Sequence, residues 1–398
     1  MASVFGVNTT RSSSAARPIQ IDSTTPIGAV VSIALERDVE ADVALMESLN
    51  QEPMRFFGSA SEALKEFENY EGTITRVLDG IIDQNAKCPI ILSFVVINLS
   101  QSGESAENFY NDAEIKTRII EAIGRFRKAY ALFGYKPNLI IAPYFSHDLD
   151  IGAEMQSIAT ALSGHAIIDL NCENEAEASV KVASYGSERV LLCDPYVKVW
   201  DTLKNAESFE PMSARIAGLI AYVDGEEEYG FSNSHSNRVL GGISGTKRIV
   251  EFEAGEECEA DRIRNKNITT IIRYQGFRTW GNHTTSIDSI WQDFTRVRVF
   301  DRIAKAALEG VFWAIDRRAD VLKAAKDSVE EMLLALKGAD VLVDYEVSWN
   351  DELNTAANIT AGKFYLDVDL MNTPIVKRLE INFNYTDKYA DTLIKMIS

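Results

Sequence analysis

The chain has 398 residues, 46% of them hydrophobic, and a formal net charge of −19. That length exceeds one small core and predicts two or three domains, while the charge excludes a broad nucleic-acid footprint, which needs a basic surface. No apolar run of 18 residues marks a membrane span, and the start MASVFGVNTTRSSSAARP lacks the basic and apolar regions of a secretory signal, so no stable membrane insertion and synthesis in a cytoplasm are expected.

Residues 1–17, rich in Ser, Thr and Ala around a small apolar patch at Val4, Phe5 and Val7, read as a flexible arm. Ile19 and Ile21 then alternate, and Ile27 to Leu35 form an apolar run that enters a folded domain. From Cys88 to about Asp224, short apolar runs (PIILSFVVI, PNLIIAPYF, HAIIDLN, RVLLCDP) alternate with helical patterns. One helix carries Ile115, Ile119, Ile120, Ile123 and Phe126 on a stripe; others are IGAEMQSIATALSG and SARIAGLIAYV. This order predicts βαβ units and a mostly parallel sheet covered on both faces.

After about Ala260 the pattern becomes α+β. FTRVRVF alternates like a strand, and Ile303, Ala307, Leu308, Val311, Phe312 and Ile315 mark a helix face after it. A second helix carries Leu322, Ala325, Val329, Met332 and Leu336 and ends near Gly338. KFYLDVDL follows, and beyond Pro374 the run KRLEINFNY sets Leu379, Ile381, Phe383 and Tyr385 on one face of a strand. Charge is uneven: Arg262 to Lys326 holds 13 Lys/Arg against 6 Asp/Glu, a basic region in an acidic protein. It fits an acidic partner surface, or local pairing within helices. Both termini are thus strand-capable segments, either donated to neighbours by β-augmentation or paired within their own chain.

Strand ends in an open α/β sheet are where ligands bind, and here they carry His147, Asp148, Asp169 and Asp194. With Ser244 in GGISGT these compose an alternative reading, an α/β hydrolase-like cytoplasmic enzyme. Against it stand the absence of a GxSxG elbow, P-loop, GxGxxG or HExxH, and a total of four histidines. Cys88, Cys172, Cys193 and Cys258 lie far apart without CxxC or Cys/His spacing, so neither zinc nor a disulfide framework is expected. No catalytic residue, metal or cofactor is assigned. GFRTWGNHTTS, Gly276 to Ser286, reads as architecture: Gly276 and Gly281 permit unusual backbone angles, Phe277 and Trp280 supply buried area, and Arg273, Arg278 and His283 hydrogen-bond nearby.

NITTIIRYQGFRTWGNHTT (Asn267–Thr285) resembles the signature of contractile-tail sheath proteins of bacteriophages. SNRVLGGISGTKRIVEF, LLCDPYVKVWD, PMSARIAGLI, TAGKFYLDVDL and VKRLEINFNYTDKY are similar, in order, to further segments of that family, and the likeness is greatest to short sheaths of P2-like phages and R-type tailocins. His283 stands where the family often has Arg, which puts any salt bridge there in doubt.

The resemblance implies five parts: an N-terminal arm (1–18), an N-terminal α/β segment (19–110), a subtilisin-like α/β domain without a protease site (111–260), a C-terminal α+β sheath domain (261–373) and a C-terminal arm (374–398). It implies a structural, non-enzymatic subunit that polymerises with itself as stacked rings around a tail tube protein. Contraction drives the tube through the bacterial envelope, for genome ejection through the host envelope in a phage. Baseplate and tail terminator proteins are the other partners, and the particle, a virion tail or a tailocin, assembles in the bacterial host cytoplasm. Inter-subunit strands are expected at Val4, Phe5, Val7, Ile19 and Ile21 and at Leu379, Ile381, Phe383 and Tyr385. Lys323 and Lys326 are the tube-facing candidates, and Arg273, Gly276, Trp280, Gly281, Asn282 and His283 form the architectural turn.

Overall fold

The computed structural model of the chain describes residues 17–36, 39–98, 113–201 and 205–397. Val4, Phe5 and Val7 lie outside these. The first part runs β1 (Ile27–Leu35), α1 (Glu40–Gln51), β2 (Met54–Phe57), α2 (Ala60–Phe67), β3 (Glu71–Gly72), α3 (Ile74–Ile82), β4 (Ile90–Asn98), α4 (Ala113–Gly124) and α5 (Ala129–Phe133). It continues with β5 (Leu139–Ile141), α6 (Leu149–Leu162), β6 (His165–Asp169), α7 (Glu175–Val182), β7 (Val190–Cys193), β8 (Val197–Asp201), β9 (Ala206–Glu210) and α8 (Ser213–Gly225). Then come β10 (Gly245–Thr246), α9 (Glu259–Asn265), β11 (Ile268–Arg273) and β12 (Phe277–Trp280).

These strands build one mixed sheet in the order β12-β11-β7-β6-β5-β1-β4-β2, with β3 on β1. The centre, from β11 to β4, is parallel; β12, β2 and β3 pair antiparallel. β5 and β3 share one edge of β1, β5 along Ile27–Ala29 and β3 at Ile33 and Ala34. Alternate strand residues enter opposite cores. Leu139, Ile141, Ile167 and Leu191 face the layer of α2, α3 and α8, while Ile140, Ala166, Ile168 and Leu192 face α4, α6, α7 and α9. Burial on both faces explains why β1 and β4 read as continuous apolar runs rather than alternating ones. A three-stranded sheet, β10-β8-β9, is separate.

The sheet crosses two of the expected divisions. β1 from 19–110 pairs with β5 from 111–260, so residue 110 is not a boundary within the sheet. β11, expected in the C-terminal domain, pairs in parallel with β7 of the body. Strand pairing is non-local, and the shift to a basic composition near residue 262 does not coincide with the end of the sheet.

The C-terminal unit comprises α10 (Phe294–Val311), α11 (Leu322–Gly338), β13 (Leu342–Trp349), α12 (Ala356–Thr360) and β14 (Leu366–Asn372), with β13 and β14 as an antiparallel pair. Its core joins Val299, Ile303 and Ala306 of α10 to Val329, Met332, Leu333 and Leu336 of α11 and to Phe231. FTRVRVF is the start of α10 and not a strand: the Asp293 side chain caps it by accepting from the Arg296 N–H at 3.2 Å. Phe294, Val297, Arg298, Val299 and Arg302 are all buried because this first half of the helix is covered on several sides. Alternating Val and Arg therefore imitate a strand without being one. Farther along, Leu308, Phe312 and Ile315 are exposed, so the expected helix face is apolar but only partly covered. Residues 373–387 are neither helix nor strand, and α13 (Ala390–Ile397) follows.

Candidate assembly surfaces

The β11–β12 hairpin turns through Tyr274, Gln275 and Gly276, and both Gln275 (φ 50°) and Gly276 (φ 106°) are left-handed. Five residues on, Gly281 (φ 149°) is where the backbone approaches β11: a Cβ there would lie 2.7 Å from Thr269 Cα and 3.0 Å from Ile268 O. Only glycine fits that contact. The Trp280 indole donates to Asp261 Oδ1 at 3.1 Å, and the Arg264 guanidinium lies 4.6 Å from its ring centroid. Arg273 sits over Phe277 at 5.7 Å. Buried Asn282 donates to Asp293 Oδ1 and accepts from Thr295 Oγ1, both at 3.2 Å. The loop therefore joins the sheet edge to the start of α10 through hydrogen bonds that leave little freedom.

His283 has a more specific partner. Burial, then the charges of Lys377 and Arg264, push its imidazole down to about 4. As a neutral ring its Nε2 accepts from Lys377 Nζ at 3.0 Å, and Asp293 Oδ2 lies 3.3 Å from the same ammonium. Lys377 sits at the root of the C-terminal segment, so the Trp280–His283 loop holds the point from which that segment departs. An arginine at position 283 would face Lys377 with like charge; a neutral histidine does not.

Beyond this root, residues 378–387 pair with no strand. Leu379, Ile381, Phe383 and Tyr385 are 76%, 65%, 91% and 95% exposed, and α13 exposes Leu393, Met396 and Ile397. The strand pattern is present in the sequence and the strand is not formed in the isolated chain. Ile19 and Ile21 behave differently from what was expected of an arm. They form no strand and pack on the C-terminal unit of their own chain, with Ile19 against Gly310 of α10. Arg17 N–H donates to Ser328 Oγ at 2.7 Å, and its guanidinium covers the Trp313 ring at 4.0 Å. Apolar residues with a groove available in the same chain need no neighbour. On α11, Lys323 is exposed, and Lys326 is partly buried and paired with Glu330 at 3.1 Å.

The enzyme constellation is not brought together. Ser244 Oγ bonds Lys198 O at 3.3 Å. Asp169 accepts from the Ser213 N–H at 2.9 Å and lies 3.3 Å from Ser146 Oγ, burial pushing its carboxyl up to about 6. Burial, the largest influence, lowers His147. Asp148 caps α6, and Asp194 pairs with Arg248 at 2.6 Å. Ser244, Asp148, Asp169 and Asp194 thus have structural partners instead of the other members of a triad. All four cysteines are buried and free. Among the described residues, no group of three or more His, Cys, Asp or Glu is placed to hold a metal ion, and no helix is long and apolar enough to cross a membrane.

A family model described as the phage tail sheath protein central domain matches residues 118–285. A prophage major tail sheath protein of Pseudomonas aeruginosa (strain UCBPP-PA14) is 36% identical over 265 residues, covering 66% of this chain and 68% of that one. The chain belongs to the phage tail sheath protein family. It is a structural protein of a contractile sheath. The tail sheath protein of Escherichia phage P2 is 24% identical over 341 residues, covering 82% of this sheath protein and 84% of its own length. The fold matches the helical sheath of the anti-feeding prophage in its contracted state at a TM-score of 0.67 and 18% identity, across 97% of this chain and 100% of that one. A contracted sheath of the extracellular contractile injection system PVC matches at 0.64 and 16%, across 97% and 98%.

One constellation in this sheath protein escaped sequence reasoning. Asp224, fully buried at the end of α8, accepts from Arg298 Nη2 and Thr25 Oγ1, with Arg302 Nη2 at 3.6 Å. Arg302 also donates to the Thr24 and Asp22 carbonyls at 2.8 and 3.0 Å and to Thr25 Oγ1 at 2.6 Å. These bonds tie the chain entry, the sheet body and α10 into one piece. The available signal was the pair of arginines four residues apart within an otherwise apolar helix face.

Proposed function

We propose that the chain polymerises as stacked rings around a tail tube protein, bounded by baseplate and tail terminator proteins, and shortens to drive the tube through a bacterial envelope. The observation that supports this reading best is the C-terminal segment, patterned as a strand, anchored at Lys377 and otherwise bare. In a ring, Leu379, Ile381, Phe383 and Tyr385 complete a sheet of an adjacent copy. A strand of this length adds several backbone hydrogen bonds of about 1 kcal/mol each. Subunits linked by such strands rotate and slide without separating. An N-terminal strand from Val4, Phe5 and Val7 does the same from the other end.

The extended state is then the higher in free energy, held by contacts with tube and baseplate. Lys323 and Lys326 supply an ionic grip on the tube weak enough to release. In this reading the sheet body is a subtilisin-like scaffold whose strand ends serve packing, so the protein has no catalytic activity, cofactor, nucleic-acid partner or stable membrane insertion. It is assembled in the host cytoplasm and resides in a virion tail or tailocin particle. The test is negative-stain electron microscopy of the purified full chain. Hollow striated tubes are expected; a discrete small oligomer under all conditions would overturn the reading.

A further inference from the structure

Where α10 crosses the amino ends of β5 and β6 there is a pocket of about 30 Å³ beside the Asp224 tie. Arg298, Asp301, Arg302 and Lys305 line it from one stripe of α10, and Lys136 and His165 line it from the sheet body. Four of these groups are cations and one is a carboxylate. That carboxylate is already engaged: Asp301 bonds Arg189. Arg298 and Arg302 are held by Asp224 and by the entry segment, which leaves the two lysines. Lys305 reaches Asp22 only at 3.6 Å, and among the described residues Lys136, half-buried, has neither an ion pair nor a hydrogen bond. His165 is 3% exposed, yet its Nε2 has no hydrogen-bond partner and the nearest carboxylate oxygen, on Asp301, is 3.8 Å away.

We propose that this pocket is a binding site for a small oxyanion, bridging Lys136 of the sheet body and Lys305 of α10 and accepting a hydrogen bond from His165 Nε2–H. The chemistry follows from what is present. Two ammonium groups, one reaching Asp22 only at 3.6 Å and the other without an ion pair among the described residues, stand beside a buried ring nitrogen with no hydrogen-bond partner, and a partly enclosed site strengthens their attraction for an anion. Burial and the neighbouring Lys305 hold the Lys136 ammonium below its ordinary value, a penalty that a bound anion relieves. A volume of about 30 Å³ accommodates roughly two water-sized groups, which suits a carboxylate or two oxygens of a phosphate and excludes a nucleotide base or sugar. An anion seated there clips α10 to the sheet, adding to the Asp224 tie.

Inorganic phosphate is the probe. Isothermal titration of the full unassembled chain, against sodium chloride at matched ionic strength, should give one site per chain. Lys136→Met and Lys305→Met should each weaken binding at least tenfold, whereas Lys363→Met, between α12 and β14, should leave it unchanged. Far-ultraviolet circular dichroism of each variant checks folding, and Lys136→Arg should restore binding. Absence of saturable phosphate binding, or unchanged binding in the folded double lysine variant, would overturn the proposal. Repeating the titration on assembled protein separates two sources of the oxyanion. Phosphate retained on assembly identifies a free ion as the occupant, and phosphate expelled identifies a carboxylate of a second copy in the same site.

Discussion

Strand β1 and the segment from Leu379 to Tyr385 are both apolar stretches with clear extended patterning, and their fates differ. Every residue of β1 is buried and paired with β4, and its other edge pairs with β5 along Ile27–Ala29 and with β3 at Ile33 and Ala34. The C-terminal segment has comparable side chains every second position and leaves them in solvent. Pattern alone does not make a strand; a partner edge does. Where the partner is in the same chain, burial adds to the stability of the monomer, and where it is in another copy, the same side chains add to the stability of the polymer. Their exposure here is consistent with a role outside the monomer.

This contrast can be broken most decisively by truncation after Thr373. Tube formation should be abolished while the thermal midpoint of the monomer stays within about 2 °C, since apart from Lys377, which meets His283 and Asp293, the removed side chains are mostly exposed; electron microscopy and calorimetry on one preparation read both. Next in size is a pair of aromatic deletions. Phe294, fully buried between His165 and His235, should cost about 3–5 kcal/mol on change to alanine. Phe383→Ala, in the bare segment, should cost the monomer under about 0.5 kcal/mol in urea denaturation and yet impair assembly. Equal losses of monomer stability would erase the distinction. Gly281→Ala tests the loop between the two regions. Its Cβ meets the Thr269 backbone, and a loss of about 1–3 kcal/mol is expected by the same assay.

A smaller effect sharpens the comparison at the root of the segment. Because the folded protein holds His283 near 4 against an ordinary 6.5, protonation favours states in which the His283–Lys377 contact is broken. The contact therefore contributes fully above about pH 6.5 and is lost as pH falls toward 4. The His283 ring signals in NMR should titrate near pH 4, and Lys377→Met should move that midpoint upward; an unchanged midpoint would remove His283 from the anchoring role. Smallest is the grip on the tube. Reversing Lys323 and Lys326 to glutamate should weaken sheath-on-tube assembly by about 1 kcal/mol per lost pair, more at low salt. Identical co-sedimentation with tube across salt concentrations would exclude α11 as the contact.

Much of the body was legible because its signals are local. Four apolar runs became β4, β5, β6 and β7, the stripe from Ile115 to Phe126 is buried, and Val329, Met332 and Leu336 of α11 point into the third core. At the turn from Gly276 to His283 the glycines were legible as positions of positive φ, while the Trp280–Asp261 and Asn282–Asp293 hydrogen bonds were not, because their partners lie elsewhere in the chain. The start of α10 was misread because arginine was taken to mean solvent, and burial of Arg298 and Arg302 is made tolerable by Asp224 seventy residues away. The packing of Ile19 and Ile21 on their own C-terminal unit was not legible either, because nothing in their neighbourhood reveals the apolar surface of α10 and α11.

By itself the sequence determined the alternation of helices and strands and the extended patterning of the C-terminal end, since periodicity and backbone preference act over a few residues. Tertiary structure decided which strands share a sheet, that β11 belongs to the body, and that Lys377 meets a neutral His283. Those outcomes depend on contacts between residues far apart in the chain, whose free energies appear only when burial brings charge, hydrogen bond and apolar surface to the same place.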